Sequence, residues 1–137
     1  MKHTTKGRYG LAVVIILNKV KGQSVSLMSI SKSLDLSKLY LEQILAVLRS
    51  HHIVYSIKGS TGGYYIKSDS HFTVYDILTV LEPNLTQAAN LIDQKIITNI
   101  LEEKVYQALD LSIKDCLNSI SIDELSGMLN EDSMYYI

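Results

Sequence analysis

The chain has 137 residues, 47% hydrophobic and 20% charged, with a net charge of −1 at pH 7. This is about one globular domain, with no apolar run near the roughly 18 residues that span a bilayer and no signal-peptide core, so a cytoplasmic protein is expected. The charge is segregated: residues 1–67 carry ten Lys/Arg against two acids, and residues 68–137 carry three Lys against twelve acids. Such asymmetry suits a basic half that meets a polyanion, against the plainer alternative of surface charge that happens to segregate.

Thr5 caps a first helix running to about Lys21, with Tyr9, Ala12, Val13, Ile16, Leu17 and Val20 on one face. Gly22 stops it. Ser26 starts a short helix with Met28, Ile30 and Leu34 as apolar positions. After Leu34-Asp35-Leu36, Ser37 caps a third helix from Lys38 to about Ser50, buried through Leu41, Ile44, Leu45 and Leu48. Ile53–Ile57 alternates and is β-branched, which predicts a strand. Lys58–Gly63 is a turn and Tyr64-Tyr65-Ile66 a second strand. Thr73 and Asp76 form a capping box for a helix through Leu81, which Pro83 ends.

From about Thr86 to Asn118 the pattern is helical again. Leu101, Val105, Ala108, Leu109, Ile113, Cys116, Leu117 and Ile120 make a long stripe. A helix of roughly 25 residues would be nearly 40 Å long, more than the rest of the chain can cover. The stripe is therefore expected to pair with a second copy, against packing only on residues 1–82. Ser121 and Glu124 cap a last helix to Leu129, and an apolar tail follows, Met134-Tyr135-Tyr136-Ile137. The fold class expected is mainly α with a small β-hairpin wing. Residues 1–82 would form a winged helix-turn-helix domain, and residues 83–137 a dimerisation helix with a C-terminal helix and tail.

The chemistry points to DNA. A three-turn helix fits the major groove, and the helix starting at Ser37 offers its N-terminal amides to a phosphate. Near that end it carries Lys38, Tyr40, Glu42 and Gln43, where base edges are reached. Gln can pair with adenine and Glu can accept from cytosine N4. The hairpin tip Gly59-Ser60-Thr61-Gly62-Gly63, flanked by Lys58 and Tyr64, lets backbone approach a phosphate, with Lys58 placed for the minor groove. A nucleotide phosphate loop is excluded, because no strand–loop–helix unit surrounds these glycines and the Lys precedes them. No enzyme constellation stands out. Two other readings are a repressor that senses a small molecule in the cleft beside the long helix, and a dimerisation adaptor that binds an acidic protein rather than DNA.

Four stretches carry a specific resemblance: Thr5-Lys6-Gly7-Arg8-Tyr9-Gly10; Leu36-Ser37 with Tyr40-Leu41-Glu42-Gln43 and Leu48-Arg49; Lys58-Gly59 with Gly62-Gly63-Tyr64; and Asp76-Ile77-Leu78 with Leu81-Glu82. In this order they resemble the Rrf2 family of small winged-helix regulators. The resemblance implies a homodimer on a pseudo-palindromic operator. It places DNA contacts on Leu39–Gln43 and on Lys58–Gly63, and phosphate contacts near Lys6 and Tyr9. Two positions depart from the family pattern. Lys58 stands where the wing usually has Arg, which suits a narrow minor groove better. His52 stands where Gly is common, and His tolerates the left-handed region better than most residues. His51-His52 is not expected to be a metal pair, since adjacent side chains diverge and no third ligand is evident.

The family's cluster-binding members hold iron–sulfur centres through three Cys before the long helix. Here Pro83–Asp93 contains no Cys, and clusters need several thiolates. No cofactor is therefore expected, and Cys116 is read as a small buried hydrophobe rather than a redox sensor. Without cluster ligands, the sequence resembles the branch that represses cysteine metabolism. That branch shares the short aromatic tail closing with isoleucine, and the resemblance implies O-acetylserine thiol-lyase as a partner through Tyr135, Tyr136 and Ile137. The free carboxylate of Ile137 would mimic that of the amino-acid substrate in the enzyme's cleft.

Overall fold

A computed structural model describes residues 5–85 and 96–129. In chain order the elements are α1 (Thr5–Lys19), α2 (Leu27–Leu34), α3 (Lys38–Ser50), β1 (Tyr55–Ile57), β2 (Gly63–Tyr65), α4 (Val74–Leu81), α5 (Ile96–Leu101), a π-helical turn (Glu102–Tyr106), α6 (Gln107–Asn118) and α7 (Ile122–Gly127). The α5–π–α6 run is the long helix of the sequence reading.

Hydroxyl caps set the helix starts. Ser26 Oγ accepts from the Ser29 amide at 3.1 Å, Ser37 Oγ from Tyr40 at 3.2 Å and Ser121 Oγ from Glu124 at 3.0 Å. Thr73 and Asp76 cap each other's backbone amides reciprocally. Asp35, at φ 52°, closes α2 in the left-handed region that a short acidic side chain tolerates.

The core gathers Val13, Val14 and Leu17 of α1, Ile30 of α2, and all four predicted residues of α3, Leu41, Ile44, Leu45 and Leu48. Val54, Ile66, Ile77 and Ile122 complete it, each fully buried. Thus α7 returns to the core of the N-terminal half. The start of α4 is laced to the end of the long helix: Val74 donates to the Ile120 carbonyl at 2.9 Å, and Ile122 to that of Phe72 at 2.8 Å.

Several expectations need correction. On α1 the buried face runs through Gly7, Gly10, Val14 and Asn18, while Tyr9, Ala12 and Val20 are only half-buried. Glycines and a buried amide are invisible to an apolar stripe. Met28 is 46% exposed rather than buried. The first strand is only Tyr55–Ile57 and the second Gly63–Tyr65, because Ile53 and Val54 are spent as core residues before the ladder begins.

The long helix differs most. Ile113, Leu117 and Ile120 pack against the protomer's own core, whereas Leu101, Val105, Ala108 and Leu109 are exposed. Cys116 is exposed in the protomer, not buried. The π turn Glu102–Tyr106 lies inside the stripe and shifts its phase, because a π turn takes up an extra residue. Ile96, Ile97, Ile100 and Leu111, outside the predicted stripe, are 54–78% exposed.

Candidate nucleic-acid interface

Helix α3 is divided cleanly by its period. Leu41, Ile44, Leu45 and Leu48 face the core, which turns Lys38, Leu39, Glu42 and Gln43 outward. Leu39 is 69% exposed, unlike the four buried leucine and isoleucine side chains of the same helix. Tyr40 is half-buried, and its ring meets Tyr9 of α1 edge-on at 6.2 Å between centroids. That contact brings α1 beside the start of α3 and sets Tyr9 next to the exposed residues. Lys6, one turn before Tyr9, is half-buried. Ser37 is exposed, with its hydroxyl engaged as the cap.

The wing is antiparallel, with Tyr55 opposite Tyr65, Ser56 opposite Tyr64 and Ile57 opposite Gly63. A backbone pair between Val25 and Tyr64, at 2.8 and 2.9 Å, fastens it to the segment before α2. Three glycines are required by geometry, and at Gly62 a Cβ would overlap the Ile57 carbonyl. Gly59 has φ +113°, closed to most L side chains. A Cβ at Gly63 would overlap the Val25 carbonyl. Lys58, Gly59, Ser60 and Thr61 are exposed, while Gly62 and Gly63 are partly covered. The Ser24 hydroxyl donates to the Thr61 carbonyl at 3.2 Å, holding the tip. His52 adopts φ 59°, so the left-handed turn survives without glycine. His51 is turned back onto its own helix, with Nδ1 3.1 Å from the Val47 carbonyl.

Three features escaped the sequence reading. Arg49 Nη1 donates to Ser56 Oγ at 3.2 Å, a side-chain tie from α3 to the wing. On the outer face of the wing, Tyr55 stacks on Tyr65 at 5.7 Å and carries the Lys67 ammonium 4.6 Å from its ring centroid. Asp123 of α7 accepts from Asn18 Nδ2 at 2.9 Å and from Lys21 Nζ at 3.0 Å, and lies 2.7 Å from His71 Nδ1. Hydrogen bonds from Asn18, His71 and Lys21 hold its carboxyl far below the ordinary range. None of these pairs has a local sequence signature, although the basic and hydroxyl residues involved could have been suspected. Tail residues Tyr135, Tyr136 and Ile137 lie outside the described residues.

Helix α3, the glycine wing and the caps between them form a winged helix-turn-helix. Residues 3–127 match the Rrf2 family, described as an iron-dependent transcriptional regulator. The chain belongs to the Rrf2 family. Among Rrf2-type relatives, the HTH-type transcriptional regulator CymR of Bacillus subtilis is 36% identical over the full length of both chains. IscR of Vibrio campbellii is 30% identical over 91% of this chain and 77% of its own. The solved structure of CymR, the global cysteine regulator of B. subtilis, matches with a TM-score of 0.78 at 33% identity, over 95% of this chain and 99% of that one. IscR of T. potens matches at 0.68 and 34% identity, over 99% and 97%.

The iron in the Rrf2 description does not fit the donors of this chain. The sequence holds one thiol, Cys116, and no three His, Cys, Asp or Glu residues gather into a metal site among the described residues. A cluster needs several thiolates. No helix among the described residues is long and apolar enough to cross a membrane.

Proposed function

We propose that this Rrf2-family regulator is a homodimeric repressor that binds a pseudo-palindromic operator and controls genes of cysteine or sulfur metabolism, without an iron–sulfur cluster and without enzymatic activity. The observation that carries this reading is the division of α3. Four leucine and isoleucine side chains are wholly buried, while Lys38, Leu39, Glu42 and Gln43 stand exposed at its capped N-terminal end. That end enters the major groove, Lys58–Gly63 reaches the adjacent minor groove, and Lys6, Tyr9, Ser37 and Lys38 contact phosphates. Residues 1–82 read DNA, and residues 83–137 pair the protomers through the exposed face of the long helix. The kinship with a regulator named for cysteine supports the choice of target genes.

The aromatic tail closing with isoleucine, Met134-Tyr135-Tyr136-Ile137, is the feature from which a protein partner is proposed. Tyr135, Tyr136 and Ile137 bind O-acetylserine thiol-lyase, and O-acetylserine competes for the enzyme's cleft and loosens the complex. Titration calorimetry of the protein with and without Ile137 tests this, and equal affinity would refute it. A second reading, direct sensing of a small molecule, is favoured by a cleft of about 190 Å³ between α4 and α6, lined by Tyr75, Asp110, Leu111 and Lys114.

Substitution tests the DNA reading. Gln43→Ala should cut discrimination at one base position by about 1–3 kcal/mol. Lys6→Ala or Lys38→Ala should weaken all duplexes about equally and flatten the salt dependence. An unchanged selected sequence with Gln43→Ala would remove α3 from its assigned role.

A further inference from the structure

A groove of about 350 Å³ runs between the start of α2, the end of α3 and the wing. Arg49 and Lys58 line it from opposite elements, with Leu27, Ser56, Ile57 and Tyr64 among the other walls. The Arg49 guanidinium is oriented by the Ser56 hydroxyl at 3.2 Å. That acceptor is neutral, so it fixes the side chain without cancelling its charge. A guanidinium has five donors, and this bond uses one of them. None of the residues lining the groove is acidic. Asp123 pairs with Lys21 and His71, none of which lines this groove. Two cations thus face one concave space that has no anion of its own.

The position of the groove indicates what fills it. On the reading above, α3 occupies a major groove and the wing the neighbouring minor groove. The two grooves of a duplex are separated by one sugar–phosphate strand. That strand must pass between α3 and the wing, where this groove lies. We propose that the groove is a phosphodiester-binding site, with Arg49 as its phosphate-binding cation, Ser56 as the residue that positions Arg49, and Lys58 at the wall that leads on to the minor groove. Arg suits the role because its planar fork can donate two parallel bonds to a phosphate. Leu27 and the half-exposed Ile57 supply apolar walls for the deoxyribose carbons. The site rests on the DNA-binding reading and adds a contact that is blind to sequence.

The test compares the full-length wild type, Arg49→Gln and Ser56→Ala. Each is titrated with operator and with random duplex by fluorescence anisotropy across a salt series, after thermal melts establish that it is folded. Arg49→Gln should weaken both duplexes by the same factor, leaving their affinity ratio unchanged. It should also make the log–log salt slope shallower by about 0.9 per groove engaged. Ser56→Ala keeps the charge and should keep the slope. A neutral methylphosphonate placed at the backbone position between the two grooves should weaken wild-type binding and have little further effect on Arg49→Gln. A changed affinity ratio with an unchanged slope, or the same loss of slope with Ser56→Ala, would make Arg49 a brace for the wing and overturn the site. Wild-type protein that binds neither duplex would instead overturn the DNA reading itself.

Discussion

Lys21 and Asp123 form an ion pair at 3.0 Å across 102 positions of the chain. Lys21 follows α1 and Asp123 sits in the first turn of α7, so the pair fastens the C-terminal helix to the N-terminal half. The same Lys21 ammonium donates to the Ser70 carbonyl at 2.9 Å. Asn18, 4% exposed, donates from its side-chain nitrogen to both Asp123 and Ser126. Buried polar groups persist when they are bonded, and here the bonds fix where α7 lies.

This cluster sets an acid limit on stability. The Asp123 carboxyl is held well below its ordinary value by Asn18, His71 and Lys21. A carboxylate depressed in the folded state contributes stability above its unfolded pKa, and that contribution is lost as pH falls through the folded value. The wild type should therefore lose stability progressively below about pH 4, the ordinary carboxylate range. Asp123→Asn should be less stable at neutral pH and show a flatter acid limb. Denaturant unfolding at fixed protein concentration from neutral to acid pH measures both.

The proposed pairing of two copies can be tested apart from folding. Leu109 is 50% exposed in the protomer, so Leu109→Asp removes little of the chain's own packing. The variant should keep its helical circular dichroism, sediment as a monomer and lose specific operator binding. Ile113→Asp should behave differently and destabilise the fold as well, because Ile113 packs on the protomer core. A dimeric Leu109→Asp would exclude this face as the interface.

The wing has its own sensitive point. Gly63→Ala would drive a Cβ into the Val25 carbonyl and open the Val25–Tyr64 pair. Faster amide exchange at Val25 and Tyr64 and weaker duplex binding are expected. Gly127 of α7 has nothing within 4 Å of a built Cβ, so Gly127→Ala should be neutral or stabilise by up to about 1 kcal/mol. Thermal melts of the pair check the contrast.

Iron provides a further test. With one thiol in the chain, protein purified without oxygen should be colourless and contain no stoichiometric iron or sulfide. A brown preparation with both elements would require ligands other than a set of cysteines.

Helix α3 was legible because its information is local. The Leu41–Leu48 stripe and the Ser37 cap lie within a few residues of one another, and both stand as expected. The Thr73–Asp76 capping box and the glycine-tipped hairpin were readable for the same reason. So was the exposed face of α3, since burying one face of an amphipathic helix exposes the other.

Tertiary structure decided the rest. A helical period identifies an apolar stripe but does not say which part meets the chain's own core. Only packing separated Ile113 and Leu117, against that core, from Leu109 and Cys116, which face outward. The burial of Asn18 was illegible because its partners lie 105 and 108 residues away. The Arg49–Ser56 tie was hidden differently: its residues are seven apart, but the left-handed turn at His52 had to fold the wing back onto α3 before they could meet. The sequence by itself determined the local elements, through contacts that repeat every few residues. Folding decided which charges and apolar faces were left without an internal partner, because that depends on distant segments arriving in one place.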